Sequence, residues 1–178
     1  MYIEVSLYLA WPTWHKAKVL FSQIAVRRIP LETRRDFSIV YTIYMYKRLV
    51  LTAATTGIFL FVVNWIANTF YWYVSISWFD MLMHTIGGMF TVFVAAAFLY
   101  RSRQLQGLDS KELFITLALI AFIIGLGWEY YEYLVQFLIK SVQLASIPDS
   151  ISDLICDMVG GVIASIFVIV MQRRYNRR

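Results

Sequence analysis

The chain has 178 residues, of which 60% are hydrophobic and only 15% charged. Its mean hydropathy is +0.64. A globular domain carries roughly 45–50% apolar and about 25% charged residues, and one of this size has too little interior to hide the excess. Ordinary soluble, disordered and fibrous classes are therefore excluded, and the single cysteine, Cys156, excludes an internal disulfide framework. The net charge of +5 is not a nucleic-acid signal, because the basic residues follow a membrane topology.

The first 48 residues read as a basic interfacial region. Tyr2–Trp11 is apolar but too short to span. It lacks the basic start and small-residue site of a cleavable signal. Thr13–Ile29 carries Trp14, Phe21, Ile24 and Ala25 on one helical face, with basic residues around them. That pattern predicts a helix lying on an anionic inner leaflet. Phe37–Tyr46 is aromatic and apolar and is interrupted by Lys47 and Arg48.

Residues 49–178 read as a four-helix transmembrane domain, with spans at about 49–73, 78–100, 113–139 and 150–171. Each run reaches the roughly 20 residues that cross a hydrocarbon core of about 30 Å. Helix is expected, because a lone helix satisfies its own backbone in lipid, and no barrel-like alternation is present. With four spans, fifteen of the sixteen Lys and Arg residues fall on one side and only Lys140 on the other. The positive-inside rule then puts both termini in the cytoplasm. Aromatic residues from Phe70 to Phe79 mark the outer boundary.

Ionisable side chains inside spans are costly and usually functional. The second span carries Asp80 and His84, the third Glu129 and Glu132, and the fourth Asp153 and Asp157, with Asp149 at its start as a possible cap. The spacings are four, three and four residues, so each helix presents its pair on one face. At about 1.5 Å rise per residue, a four-residue spacing covers about 6 Å of depth. The alternating directions of the spans gather all six groups in the outer half of the membrane, together with the neutral Asn64 and Asn68 of the first span. The second and fourth spans also share a pattern, Asp80-x3-His84-x2-Gly87-Gly88 and Asp153-x3-Asp157-x2-Gly160-Gly161, which reads as a duplicated helix hairpin. The glycine pairs suit close helix approach.

No Lys or Arg lies inside a span to balance these acids. Three outcomes are open: protonated carboxylates, a bound cation, or a water-filled vestibule. One histidine among carboxylates suits a divalent ion. Mixed ligands fit Zn, Mn or Fe, and carboxylates alone fit Mg or Ca. The expected metal ligands are Asp80, His84, Glu129, Glu132, Asp153 and Asp157, with Glu129 and Glu132 as the catalytic carboxylates. Tyr130 and Tyr133 read as interface anchors, with donation to a carboxylate as the alternative, and Cys156 as a buried inert thiol.

The runs Phe79–Gly88, Trp128–Glu132 and Asp149–Gly161 together resemble the YjdF-like family of small bacterial and archaeal membrane proteins, relatives of the VanZ-like group. Asp80, His84, Glu129, Glu132, Asp149, Asp153 and Asp157 each fall on that family's pattern. The resemblance implies a helical fold in a prokaryotic inner membrane with an acidic, metal-binding centre. VanZ-like relatives are associated with lipoglycopeptide resistance at the envelope. Three functions stay open. One is a metal-dependent hydrolase or transferase acting on a lipid or lipid-linked headgroup. The second is a proton or cation transporter. The third is a metal-stapled membrane scaffold or envelope-resistance protein, whose outer surface or basic N-terminal region meets a partner; membrane lipids are expected partners in each case.

Overall fold

The computed structural model describes residues 31–102, 104, 108–138 and 146–176, with side chains from Thr42 to Arg174. The interfacial helix expected over Thr13–Ile29, and Lys140, lie outside the described residues. Every regular element among the described residues is a helix: α1 Leu31–Thr69, α2 Trp72–Ser75, α3 Phe79–Arg101, α4 Ser110–Leu138 and α5 Ile147–Asn176. Four stretches are long and apolar enough to cross a membrane, namely Thr42–Thr69, Phe79–Arg101, Ser110–Leu138 and Ile147–Arg174. The protein is an all-helical polytopic membrane protein. By its internal packing the chain divides between Val40 and Tyr41, and the larger unit, Tyr41–Arg178, holds all four spans.

Local sequence explains where the helices begin and turn. The chain reverses between α1 and α2 at Tyr71, which adopts the left-handed conformation at φ 56°. That backbone is costly for a residue with a β-carbon. Here the Tyr71 carbonyl accepts from the amides of Val74 and Ser75. The rings of Trp72 and Tyr73 pack edge-on against Phe79, 5.5 and 5.0 Å between centroids. The start of α4 is a capping box. Asp109 Oδ1 accepts from the amides of Lys111 and Glu112, and Glu112 Oε2 accepts from the Asp109 amide at 3.0 Å. At the start of α5, Ser146 Oγ accepts from the Asp149 amide at 3.3 Å, so Ser146 is the cap and Asp149 lies exposed in the first turn.

The packed core occupies one end of the bundle. Met45, Leu49 and Ala53 come from α1; Val92, Phe93, Ala96, Ala97 and Tyr100 from α3; Leu113, Leu117 and Ala121 from α4; Ala164, Val168 and Ile169 from α5. Their spacing of three or four residues is that of a single helix face. The Arg173 guanidinium donates to Ser110 Oγ at 3.1 Å, tying α5 to α4 at this same end. Elsewhere large apolar side chains such as Phe61, Trp65, Phe98 and Ile123 point outward, which is what a lipid environment accepts. Between helices, lipid supplies no hydrophobic drive, and close packing has to do that work.

That close packing is a seam of small residues. α3 lies against α5 with Gly88 touching the backbone carbonyl of Asp157 and Gly160 touching that of Thr85. A β-carbon at Gly161 would stand 2.6 Å from Ala121 Cβ on α4, and one at Gly125 would stand 3.0 Å from Leu154 Cδ1 on α5. α1 joins more loosely at this level. A β-carbon at Gly57 would meet only the Phe90 ring, at 2.9 Å from Cε2.

Candidate metal centre

The antiparallel run of α3, α4 and α5 brings the start of α3, the end of α4 and the start of α5 to the end of the bundle opposite the core. Asp80 and His84 stand one turn apart on α3, and Asp153 and Asp157 one turn apart on α5. Glu129 enters from α4. The glycine seam fixes this meeting. Asp157 is held by its backbone against Gly88, and its Oδ2 would be 3.1 Å from a β-carbon at Gly125. Its carboxylate therefore sits between α3 and α4, where a larger residue at either glycine would displace it.

His84 is the hub. Its Nε2 lies 3.8 Å from Asp80 Oδ1 and 4.0 Å from Asp153 Oδ2. Its Nδ1 lies 3.8 Å from Glu129 Oε1 and 3.5 Å from Asp157 Oδ1. None of these is the 2.7–3.2 Å of a well-formed N–H···O bond. Two bonds of about 2.0–2.2 Å span roughly 3.3–3.6 Å at a tetrahedral angle, so the separations of 3.5 to 4.0 Å would need to tighten slightly around an ion. The ligand atoms fall into two groups, Asp80–His84–Asp153 and His84–Glu129–Asp157, each within 4.8 Å throughout.

Burial makes this arrangement expensive without compensation. The side chains of His84, Asp153, Asp157 and Glu129 are 6%, 8%, 8% and 11% exposed, while Asp80 is 44% exposed and forms the open edge. Glu129 Oε1 is fully buried and has no hydrogen-bond partner. Basic side chains on the four spans, from Lys47 and Arg48 to Arg173 and Arg174, lie at the far end. A buried carboxylate oxygen without a donor is costly unless it is protonated or a cation offsets it. The mixed nitrogen and oxygen donors suit a divalent ion such as Zn, Mn or Fe.

Five of the six side chains expected from spacing thus converge: Asp80, His84, Glu129, Asp153 and Asp157. Glu132 stands half-buried one turn nearer the end of α4, outside both ligand groups. Asn64 and Asn68 do not join the cluster but pair with each other on the exposed side of α1, Asn68 Nδ2 donating to the Asn64 backbone carbonyl at 2.8 Å. Tyr130 and Tyr133 are exposed. Cys156 is half-buried and on a different face from Asp157. Tyr73, read from the sequence only as part of an aromatic belt, links α2 to α1 by donating to Asn64 Oδ1 at 2.7 Å. Burial first, then the carboxylates of Asp80 and Glu132, push the Tyr73 phenol above its ordinary range, so it stays a donor. The only sign of this role in the sequence was the nine-residue separation across a tight turn.

No curated protein and no solved structure matches the chain. A family model, described as a predicted membrane protein, matches residues 13–174, which takes in all four spans and all five converging ligands. By that match the chain belongs to the DUF2238 family of predicted membrane proteins, the family also called YjdF-like.

Proposed function

We propose that the protein is a membrane metalloprotein that uses a divalent cation, held at the outer end of the bundle, in chemistry on a lipid or lipid-linked headgroup. The observation that carries this reading is the buried His84 with carboxylates from three helices and, among the described residues, no Lys or Arg paired with them. Such a centre has one open edge, at Asp80. An ion there would polarise a phosphoryl or carbonyl oxygen of a headgroup entering from that edge. Glu129 serves as ligand through its unpartnered oxygen. Glu132, one turn further out and clear of the ion, serves as the carboxylate that takes a proton from attacking water.

Depth favours this over transport. Beyond the cluster lie the glycine seam and the apolar core. The buried Ser165 of that region spends its hydroxyl on the Gly161 carbonyl at 2.7 Å, within its own helix. An ion crossing the bundle needs polar partners there. The outward orientation rests on the basic bias of the sequence, and the prokaryotic inner membrane on the family resemblance.

One purified sample tests the proposal in two assays, metal-dependent turnover of phospholipids or polyprenyl phosphates, and cation or proton flux in proteoliposomes. Turnover that Glu129→Gln abolishes is the expected result. Flux abolished by Glu129→Gln, with no turnover under any divalent metal, would replace the enzyme reading with transport. A metal-loaded protein silent in both assays would leave the scaffold.

A further inference from the structure

We infer that the centre takes two divalent cations, one on each nitrogen of His84, with the imidazole ring as the bridge between them. The inference rests on the metal reading above and deepens it. Its basis is the division of the ligands. Among the described residues, the carboxylates within 4.0 Å of Nε2 are Asp80 and Asp153, at 3.8 and 4.0 Å, and those of Nδ1 are Glu129 and Asp157, at 3.8 and 3.5 Å. The two nitrogens of an imidazole point away from each other, so a single ion cannot use both. An ion on one nitrogen leaves the other with a single N–H for two carboxylates. The fully buried Glu129 Oε1, with no hydrogen bond, belongs to the inner pair, while the 44% exposed Asp80 belongs to the outer one. An ion at the outer position alone would leave that inner oxygen unsatisfied. An ion at the inner position alone would leave Asp153, 8% exposed, without a counter-charge.

Charge points the same way. Asp80, Glu129, Asp153 and Asp157 carry four negative charges when ionised and a bridging imidazolate adds a fifth, of which two divalent cations offset four and one offsets only two. Uncompensated buried charge is the costly alternative. Bridging requires both ring nitrogens as ligands. The neutral ring has one N–H, and filling the second position replaces that proton, which leaves to solvent. The two positions differ in access. The inner one, with Glu129 and Asp157, is a closed structural position, and the outer one, at Asp80, keeps room for a headgroup oxygen or water, the division that separates closed from reactive metal sites.

The test uses the full chain in detergent, stripped with chelator and titrated with Zn or Mn. Two equivalents bound per chain are expected. The paired variant Asp80→Asn/Asp153→Asn should keep one, as should Glu129→Gln/Asp157→Asn. Cu(II), which favours imidazole, gives a readout that needs no variant: two ions sharing the ring should show magnetic coupling by electron paramagnetic resonance. A single equivalent in the wild type, or two equivalents without coupling, would overturn the bridge and leave the metal reading standing. No binding of Zn, Mn or Cu would remove both.

Discussion

Gly88 and Asp157 meet backbone to backbone, with the Asp157 carbonyl oxygen in the place a β-carbon of residue 88 would need. A side chain could rotate away from such a clash, but a helix carbonyl cannot. Gly88→Ala must therefore push α5 off α3 and carry Asp157 with it. The expected cost is at or above the roughly 1–3 kcal/mol of ordinary overpacking, together with lost metal. Gly160→Ala, against the Thr85 carbonyl, should behave alike. Gly127→Ala is the control, since a β-carbon there meets nothing within 4 Å, and it should be neutral or slightly stabilising. Thermal unfolding in detergent, with metal content measured on the same samples, separates these outcomes.

Metal removal should destabilise the protein, because an ion bound only by the folded state adds its binding free energy to folding. At a free ion concentration 100 times the dissociation constant, that is about 2.7 kcal/mol. Chelation should lower the melting temperature of the wild type. His84→Ala should lower metal content and melting temperature together, and chelator should then have little further effect. A wild type that carries no metal, and whose melting temperature ignores added Zn, Mn, Mg or Ca, would count against the centre.

Glu129→Gln keeps the shape of the side chain and removes its charge. The amide should fold nearly as well as the acid, because Oε1 has no hydrogen bond to lose and the amide keeps a polar atom for Ser150. Activity and metal affinity should fall. A folded Glu129→Gln variant with full metal affinity would show that this oxygen does not ligate.

Tyr73→Phe should cost about 1 kcal/mol, the worth of a typical hydrogen bond, through the lost donation to Asn64. Titration gives a second readout. The phenol is raised by burial and by Asp80 and Glu132. Between the ordinary phenol range near 10 and the raised value, the native state holds a proton that the unfolded state has lost. Stability from this group is therefore complete below about pH 10 and falls as pH rises further. Difference absorbance between wild type and Tyr73→Phe should show one phenol ionising late, and Glu132→Gln should bring it earlier.

Orientation can be read with single cysteines in a Cys156→Ala background. A membrane-impermeant thiol reagent on intact cells should label Cys placed at the exposed Ser75 or Ser146 and spare Ser102. The reverse pattern would move the metal centre to the cytoplasmic side.

Periodicity and alternating span direction are enough to foresee which residues meet. Asp80 with His84 and Asp153 with Asp157 keep one face because four residues nearly close a helical turn. Glu129 and Glu132 were not separable that way. Three residues turn a helix by about 300°, leaving the two glutamates about 60° apart, and which one faces His84 depends on how α4 crosses α5 at Gly125 and Leu154. That crossing is a packing fact between distant segments. The start of α1 was obscured for another reason. Lys47 and Arg48 resemble a boundary, but both are good helix formers, and the helix runs through them from Leu31. Arg48 lies over the Tyr44 ring at 5.0 Å, its charge carried along the helix surface rather than ending it. The cap at Ser146 follows the Ser-x-x-Asp pattern of a helix start, which was open to reading.

The glycine seam also has a consequence in time. α3 and α4 leave the ribosome before α5, so Asp80, His84 and Glu129 reach the membrane while Asp153 and Asp157 are still unmade. Nothing in the nascent helices can fill the space at Gly88 until the Asp157 carbonyl arrives. The half-built cluster must wait in water or protonated form, and the last helix to emerge closes the packing and completes the ligand set in one step. A nascent chain stalled before α5 should therefore bind metal weakly and remain open to degradation, and synthesis of that single helix should end both conditions together.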